Sequence, residues 1–375
     1  MISAIRAERQ PWGVEGMLAA MSRRTTTLRK LALSGLHYSG AAAALAPLTR
    51  GAGVIFTLHH VRPEQPQAFE PNRILKVTPT FLDAVIRQVL DAGFDVISLD
   101  EAHFRLTEGA LERPFACFTL DDGYRDNRDH AYPVFRRYGL PFTIYVPSEY
   151  ASGRGDMWWL ALERVICEVE HLQIKMDGVH HQFRCSTADD KDRTFLRIYW
   201  WLRGIEEGAA RQIVRELCRG IGYDPAPLCA DLCMTWDELR ELACDPLVTI
   251  GGHTRAHYAL AKLTHAEARF EMEEGNRILE QELGRPCRHF AYPYGDEGSA
   301  GEREFALAKE LGLKTAVTTR KGLIHPAHAG HLTALPRVSL NGDYQEIRYV
   351  KVLLTGAPFL VWDALSGLRG RGGLA

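Results

Sequence analysis

The sequence predicts an α/β protein built on a parallel sheet or a barrel. Short apolar segments rich in β-branched and aromatic residues alternate with longer amphipathic segments, and Gly or Pro residues separate most of them. Because a helix is expected to follow each strand, the strands are expected to run in the same direction. The 375 residues are 46% hydrophobic and 25% charged, an ordinary globular composition that can bury a large core.

Residues 1–50 differ from the rest and are predicted to form a basic, helical N-terminal arm. Arg23, Arg24, Arg29 and Lys30 accompany leucines at loosely helical spacing. We expect this arm to be solvated or packed on the folded domain. Peripheral contact with an anionic membrane surface is the alternative, because basic amphipathic segments bind such surfaces.

Residues 51–345 are predicted to form one barrel domain. In its first half, each β-prone run is bounded by Gly or Pro, and the helix that begins near Thr80 has a good N-cap in front of it. The predicted strands are Gly53–Leu58, Phe94–Leu99, Phe115–Leu120 and Phe142–Val146, and the predicted helices are Thr80–Ala92, Asp100–Gly109 and Asn127–Tyr138.

Residues 150–235 interrupt the alternation and are predicted to form an inserted helical segment. Its tryptophans Trp158, Trp159, Trp200 and Trp201 could form the floor of a carbohydrate groove, because aromatic rings stack on sugar faces, and Trp158 is our candidate for a substrate-binding residue. Burial of the tryptophans in a core is the alternative. The regular pattern returns with a helix at Trp236–Ala243 and a strand at Val248–Ile250, and residues 346–375 are predicted to form a helical tail.

Two adjacent carboxylates follow the predicted strand Phe115–Leu120. Side chains alternate between the faces of a strand, so Asp121 and Asp122 can share one site only if the chain turns there, and Gly123 supplies a turn. In parallel α/β folds, functional sites lie at the carboxyl ends of strands. One carboxylate could then bind a metal while the other takes a proton. An ordinary solvated Asp-Asp-Gly turn is the alternative.

Two histidines four residues apart, His253 and His257, follow the strand at Val248–Ile250. At a strand-to-helix junction both can face one point, and imidazole nitrogen is a preferred zinc ligand. The spacing alone is a weak signal, but it lies at the same predicted end of the sheet as Asp121 and Asp122.

A third segment, Phe290–Gly295, is expected to reach the same rim. Tyr292, Pro293 and Tyr294 are our candidates for substrate binding there. Tyr294, through its side chain or its backbone N–H, could polarise a carbonyl group.

At these three segments the sequence resembles the polysaccharide deacetylases of carbohydrate esterase family 4, a group that includes chitooligosaccharide deacetylases. The family's Thr-Phe-Asp-Asp-Gly motif corresponds to residues 119–123, which read Thr-Leu-Asp-Asp-Gly. Its His-Ser/Thr-x-x-His motif corresponds to residues 253–257, which read His-Thr-Arg-Ala-His. The resemblance spans about residues 53–340.

The resemblance implies a distorted (β/α) barrel of the polysaccharide deacetylase type, here with its inserted helical segment. It also implies that Asp122, His253 and His257 bind one divalent metal ion, and zinc is the expected ion. Asp121 would then be the general base.

Two departures from the family pattern leave roles open. Where the family has an arginine that orients the catalytic aspartate, this chain has Ala291, and we expect Arg337 to replace it from a different strand. The family's Leu-His pair, which supplies the general acid, is not visible. Candidate acids are His59, His325, His328 and His331. His59 is favoured because it ends the first predicted strand and so lies at the catalytic rim.

The expected activity is hydrolysis of the N-acetyl groups of an acetylated amino-sugar polysaccharide, oligosaccharide or lipid-linked glycan, with release of acetate. A metal-dependent amidase for a small amide, and a non-catalytic sugar-binding relative, are the alternatives. The formal charge of −2 gives no general attraction for nucleic acid.

The eight cysteines include no Cys-x-x-Cys pair, and the first residues lack the continuous apolar core of a signal peptide. We therefore expect reduced thiols and a cytoplasmic protein, with the inner face of the membrane as the site of any peripheral contact.

Overall fold

The computed structural model describes residues 23–360 and residue 362, with side chains from Thr25 onward. Residues 1–22 of the predicted arm and 363–375 of the predicted tail lie outside the described residues. The helices are α1 (Arg23–Tyr38), α2 (Ala41–Thr49), α3 (Pro79–Asp91), α4 (Leu99–Glu108), α5 (Tyr132–Tyr138), α6 (Ser148–Ala151), α7 (Trp158–Glu168), α8 (Ala188–Gly204), α9 (Glu207–Gly220), α10 (Pro227–Leu232), α11 (Trp236–Ala243), α12 (His265–Leu283), α13 (Glu302–Glu310) and α14 (Ile347–Leu353).

The strands are β1 (Gly53–Leu58), β2 (His60–Val61), β3 (Lys76–Val77), β4 (Asp95–Val96), β5 (Phe115–Leu120), β6 (Phe142–Val146), β7 (His171–Met176), β8 (Val179–Arg184), β9 (Val248–Gly252), β10 (His289–Ala291), β11 (Thr315–Lys321) and β12 (Leu335–Ser339). Seven parallel strands close into a barrel in the order β1-β12-β11-β10-β9-β6-β5, and β5 pairs back with β1. The short strand β4 pairs with the start of β5, on the edge whose other end pairs with β6.

The barrel is distorted on the side of β10. This strand has three residues, pairs with β9 at a single position, and lies next to a β11 whose register with β12 shifts between Val317 and Lys321. The predicted distorted (β/α) barrel is therefore confirmed, as is the parallel direction of its strands.

The side chains of β5 that face the barrel interior form a row that continues to Asp121. Every residue of β1 and β5 is buried, because one face of each strand fills the barrel and the other packs against the helices. Cys117 packs in the interior cluster with Ile55, Tyr145 and Leu335, whereas Phe118 packs in a separate cluster toward helix α3. Residues two apart share a face, so Asp121 continues the inward row.

Several predicted elements have the predicted bounds, and others differ for local reasons. The strands at Gly53–Leu58, Phe115–Leu120 and Phe142–Val146 are present as predicted. The strand predicted at Phe94–Leu99 is reduced to two residues, because Ser98 caps α4 by accepting a hydrogen bond from the backbone N–H of Glu101 at 3.1 Å.

The insert at 150–235 contains an antiparallel hairpin, β7–β8, in addition to helices α7–α10. The prediction of a helical insert is therefore only partly correct, because the insert also contains this hairpin. On β7, Leu172, Ile174 and Met176 are buried and the residues between them are exposed, which is the alternation of a half-buried strand. The hairpin packs with α7 and α8 in an apolar cluster of the insert.

The described part of the N-terminal arm packs against the C-terminal helix. Helix α1 contacts α14, and Ala42 of α2 is buried with Val352 and Ala357. Other apolar residues of the arm stay in solvent, and Leu48 is 85% exposed. Within the described residues, no helix combines the length and the apolar character needed to span a bilayer.

Candidate metal and acid–base site

The two adjacent aspartates at the end of β5 face one pocket because the backbone turns at Asp122. Asp122 has a φ of 75° and Gly123 a φ of 67°. The left-handed region is unfavourable for a non-glycine residue, so Asp122 holds a strained conformation. Among described non-glycine residues with positive φ, four belong to the pocket segments: Asp122, Thr254, His257 and Tyr294. Strain of this kind concentrates at functional sites.

The Asp121 carboxylate is held by the guanidinium of Arg337. Arg337 Nη1 donates to Asp121 Oδ1 and Nη2 donates to Oδ2, each at 2.7 Å, which is a bidentate pair. The remaining donors reach Thr119 Oγ1 at 3.0 Å and the Thr318 carbonyl at 2.8 Å. Both charged residues are buried. The contact expected between Arg337 and Asp121 is present.

Arg337 reaches Asp121 across the barrel interior. It lies on β12, and β1 separates β12 from β5, so the two residues are not on neighbouring strands. Burial alone would raise the pKa of Asp121, but the charge and hydrogen bonds of Arg337 outweigh burial and hold that pKa below its ordinary value. The carboxylate therefore stays ionised and oriented.

Asp122, His253 and His257 bring ligand atoms to one point. One ligand atom from each residue lies within 4.8 Å of the other two. Asp122 Oδ1 is 3.5 Å from His253 Nε2 and 3.2 Å from His257 Nε2. His253 Nδ1 donates to the Ala291 carbonyl at 2.6 Å, which leaves Nε2 with a lone pair directed at Asp122.

These atoms fit a divalent metal ion. Asp122 Oδ1 is buried and has no hydrogen-bond partner among the described residues, although an orphaned buried acceptor is costly. Burial would raise the pKa of Asp122, but His257 and His253 hold it well below its ordinary value. Burial lowers the pKa of His257, which favours the neutral imidazole that binds metals. A cation would satisfy all three groups.

The loop that carries both histidines is held from several sides. Arg211 of α9 donates to the carbonyls of Ala256 and His257 at 3.4 and 3.1 Å. Glu271 of α12 accepts from the Ala256 N–H at 2.8 Å. His257 has a φ of 60°, so these contacts fix a backbone conformation that would otherwise relax. The insert thus supports the ligand geometry directly.

Of the four histidines considered as general acids, His59 lines the pocket with Asp121 and Asp122. Its carbonyl accepts from Asn127 Nδ2 at 2.7 Å, which fixes the backbone behind it. Burial lowers the pKa of His59, and the two carboxylates oppose that shift. The other three lie elsewhere: residues 325–331 follow Ile324, which pairs with Gly53 at the opposite, amino end of β1.

One of the predicted substrate-binding residues lines the pocket, and the other three do not. Tyr294 lines the pocket, whereas Trp158, Tyr292 and Pro293 are not among its lining residues. Trp158 is buried and donates through Nε1 to the Tyr294 hydroxyl at 3.0 Å, so it supports the pocket from behind. Tyr292 points away and donates to the Thr333 carbonyl at 2.8 Å.

The pocket also contains residues that the sequence did not single out. Phe195 and Tyr199 of the insert form an aromatic wall with Trp159, one of the four tryptophans expected to contact sugar, and Asn72 and Leu75 lie on a short 3-10 helix, Pro71–Leu75, between β2 and β3. The empty space is about 630 Å³ with the open mouth included. The aromatic content of the insert was the only signal for this wall, because the sequence does not show which of two adjacent tryptophans faces the pocket.

Solved structures with the same fold include a deacetylase from Streptococcus pyogenes, PplD, in complex with acetate. It is 16% identical, with a TM-score of 0.53, and the match covers 80% of this chain and 97% of PplD. IcaB from Ammonifex degensii is 17% identical, with a TM-score of 0.50, over 80% of this chain and 97% of that chain. At these identities the likeness shows the fold.

A sequence relative is YxkH of Bacillus subtilis strain 168, whose name provisionally assigns it to the polysaccharide deacetylases. It is 33% identical over 73 residues, which are 19% of this chain and 26% of YxkH, so the chain matches about a quarter of that relative. The profile of the family described as "Polysaccharide deacetylase" matches residues 108–316, more than half of the chain, and includes Asp121, Asp122, His253 and His257. This chain therefore belongs to the polysaccharide deacetylase family.

Proposed function

We propose that the protein is a metal-dependent hydrolase that removes N-acetyl groups from an acetylated amino-sugar glycan and releases acetate. The observation that carries this proposal is one pocket that holds both a metal-ligand triad, Asp122 with His253 and His257, and a separate carboxylate, Asp121, oriented by a bidentate arginine. A site that only binds sugar needs neither an oriented base nor strained metal ligands.

Asp122, His253 and His257 would hold the ion, and zinc fits a set of two imidazoles and one carboxylate. When bound, a divalent ion supplies Lewis-acid polarisation of the acetyl carbonyl and makes water a stronger nucleophile at neutral pH. Asp121 takes the proton of the attacking water, because its carboxylate is ionised and does not have to serve as a ligand. Arg337 keeps that carboxylate in position.

The departing sugar nitrogen must receive a proton. His59 is the proposed donor, since it lines the pocket together with both carboxylates and interacts electrostatically with them. Its burial lowers its pKa, so the imidazolium releases its proton readily once formed. The products are acetate and a free amino sugar. The complex of PplD with acetate is in keeping with this product.

The pocket favours an extended glycan over a small amide. Its walls carry Trp159, Phe195 and Tyr199, and aromatic faces of this size suit sugar rings. Chitin-like oligomers and lipid-linked glycans both fit this description. Exposed leucines of the arm, including Leu28 and Leu48, with the basic Lys30, support peripheral contact with an anionic membrane surface. A cytoplasmic location at the inner face of the membrane stays a prediction from the sequence.

The test is acetate release from zinc-loaded protein with three matched substrates: an N-acetylglucosamine oligomer, an O-acetylated sugar, and a small amide without hydroxyl groups. We expect acetate from the oligomer, loss of activity with a chelator, and recovery with zinc. Release only from the small amide would favour an amidase. No release from any substrate, with sugar binding retained, would indicate a non-catalytic relative. The variant Gln281→Ala, on the exposed face of α12, serves as a control.

A further inference from the structure

Asn72 is a buried amide whose orientation the surrounding residues determine. Its side chain lines the pocket, and the residue is 6% exposed. Nδ2 donates to Glu163 Oε2 at 2.6 Å and to the Trp159 carbonyl at 3.3 Å. Both amide hydrogens are therefore used on acceptors. The flipped amide would direct Oδ1 at two oxygens, so this orientation is the stable one.

The oxygen of the Asn72 amide, Oδ1, is therefore an unused hydrogen-bond acceptor that a ligand could bind. No described residue donates to Asn72 Oδ1, and this oxygen is the remaining polar atom of a side chain that lines the pocket. A carbonyl oxygen can accept two hydrogen bonds. An acceptor of this kind selects ligands that bring a donor, such as a hydroxyl group.

Trp159 connects Asn72 with the proposed metal ligands. Its ring lines the pocket, and its centroid is 5.2 Å from that of His257. Its carbonyl accepts from Asn72 Nδ2 at 3.3 Å. A residue of the aromatic wall therefore also orients the Asn72 amide.

We propose that Asn72 Oδ1 accepts a hydrogen bond from a hydroxyl group of a sugar ring, with Glu163 as the residue that positions Asn72. The inference rests on the proposed function and adds a residue that selects its substrate: a ring that carries a free hydroxyl at this position. A small amide without hydroxyls would leave Asn72 Oδ1 unpaired, and an unpaired buried polar group disfavours such a ligand.

The substrate class also follows from what the wall lacks. Outside Asp121, Asp122 and the histidines, the lining residues are aromatic, aliphatic or uncharged polar. No lysine or arginine is among them, so the walls offer no counter-ion for a phosphate or carboxylate on the ring at this position. Among the described lining residues, this composition favours a ring without an anionic substituent at the position that contacts Asn72.

The test measures binding separately from catalysis. Calorimetry with zinc-loaded protein uses a glucosamine trimer, which has the hydroxyls but no acetyl group to hydrolyse, and cyclohexylamine, a ring amine without hydroxyls. We expect Asn72→Ala to weaken trimer binding about 3- to 10-fold, the usual effect of one uncharged hydrogen bond, and to leave cyclohexylamine binding unchanged. Glu163→Gln keeps Asn72 but allows its amide to flip, so it should weaken trimer binding in the same direction.

Gln281→Ala truncates an exposed amide side chain on α12, away from the pocket, and should change neither dissociation constant. Trimer binding as tight in Asn72→Ala as in the parent would overturn the inference, and so would equal loss for both ligands, which would indicate a structural role. A parent that binds no trimer would overturn it as well. Acetate release with unaltered trimer binding in Asn72→Ala would leave the proposed function standing. Selective loss of trimer binding in Asn72→Ala, with no acetate release by the parent protein, would support the inference about Asn72 and contradict the proposed function.

Discussion

Replacement of Arg337 by lysine separates orientation of the general base from its electrostatic environment. The guanidinium makes four hydrogen bonds, two of them parallel bonds of 2.7 Å to the two oxygens of Asp121. Lysine keeps the positive charge but has one nitrogen, so it cannot span both carboxylate oxygens while it reaches Thr119 and Thr318. The Asp121 carboxylate then gains freedom to rotate away from the attacking water.

The size of the effect follows from the bonds lost. At least one charge-assisted hydrogen bond must break, and such a bond is worth about 1.5–3 kcal/mol. If that interaction acts in the transition state, kcat falls about 10- to 150-fold. KM should change little, because Arg337 is buried behind Asp121 and is not among the residues that line the pocket.

The assay is steady-state acetate release from an N-acetylglucosamine oligomer by zinc-loaded protein, with zinc content measured for each variant. Arg320→Lys is a matched control, since Arg320 lies on β11 and donates to the Ala300 carbonyl outside the pocket. A parental kcat for Arg337→Lys would refute the reasoning. A raised KM with unchanged kcat would refute it too, because it would assign Arg337 to substrate binding.

Two further predictions concern the base and the ligand loop. Asp121→Asn should retain one zinc ion per chain while kcat falls about 10²–10⁴-fold, because the proposed role of Asp121 is that of a base and not of a ligand; near-parental activity would exclude that role. Arg211→Met should weaken zinc binding about 10- to 100-fold, because the carbonyls of Ala256 and His257 lose their donor, and Arg215→Met, whose parent residue pairs with Asp156 on the surface, should not. Equal zinc affinities of the two arginine variants would show that the loop keeps its geometry without this support.

The barrel could be predicted well where strands are fully buried. β1, β5 and β6 are mostly apolar, β-prone runs followed by His59, Asp121 and Pro147, and their predicted bounds are those observed. β4 and the hairpin β7–β8 were harder to predict. Ser98 ends β4 early because it caps the next helix. In the hairpin, the polar residues of the exposed face, such as Lys175 and its partner His180, made the alternation of buried apolar residues hard to recognise.

The residues of the site also differ in how well the sequence could predict them. Asp122, His253 and His257 follow strands directly, so chain order and the barrel bring them together. Arg337 could be expected only as a substitute for the arginine absent at position 291. Asn72 and Arg211 could not be predicted, because their roles depend on contacts between the insert and distant loops, which no local pattern encodes.

The central claim is that one metal ion, held by Asp122, His253 and His257, is required for deacetylation. The most direct measurement is titration of chelator-treated protein with zinc while acetate release from an N-acetylglucosamine oligomer is recorded. Activity should rise linearly and stop at one zinc ion per chain, and His253→Ala should neither retain zinc nor recover activity. Acetate release that is unaffected by the chelator, or parental zinc binding by His253→Ala, would contradict the account.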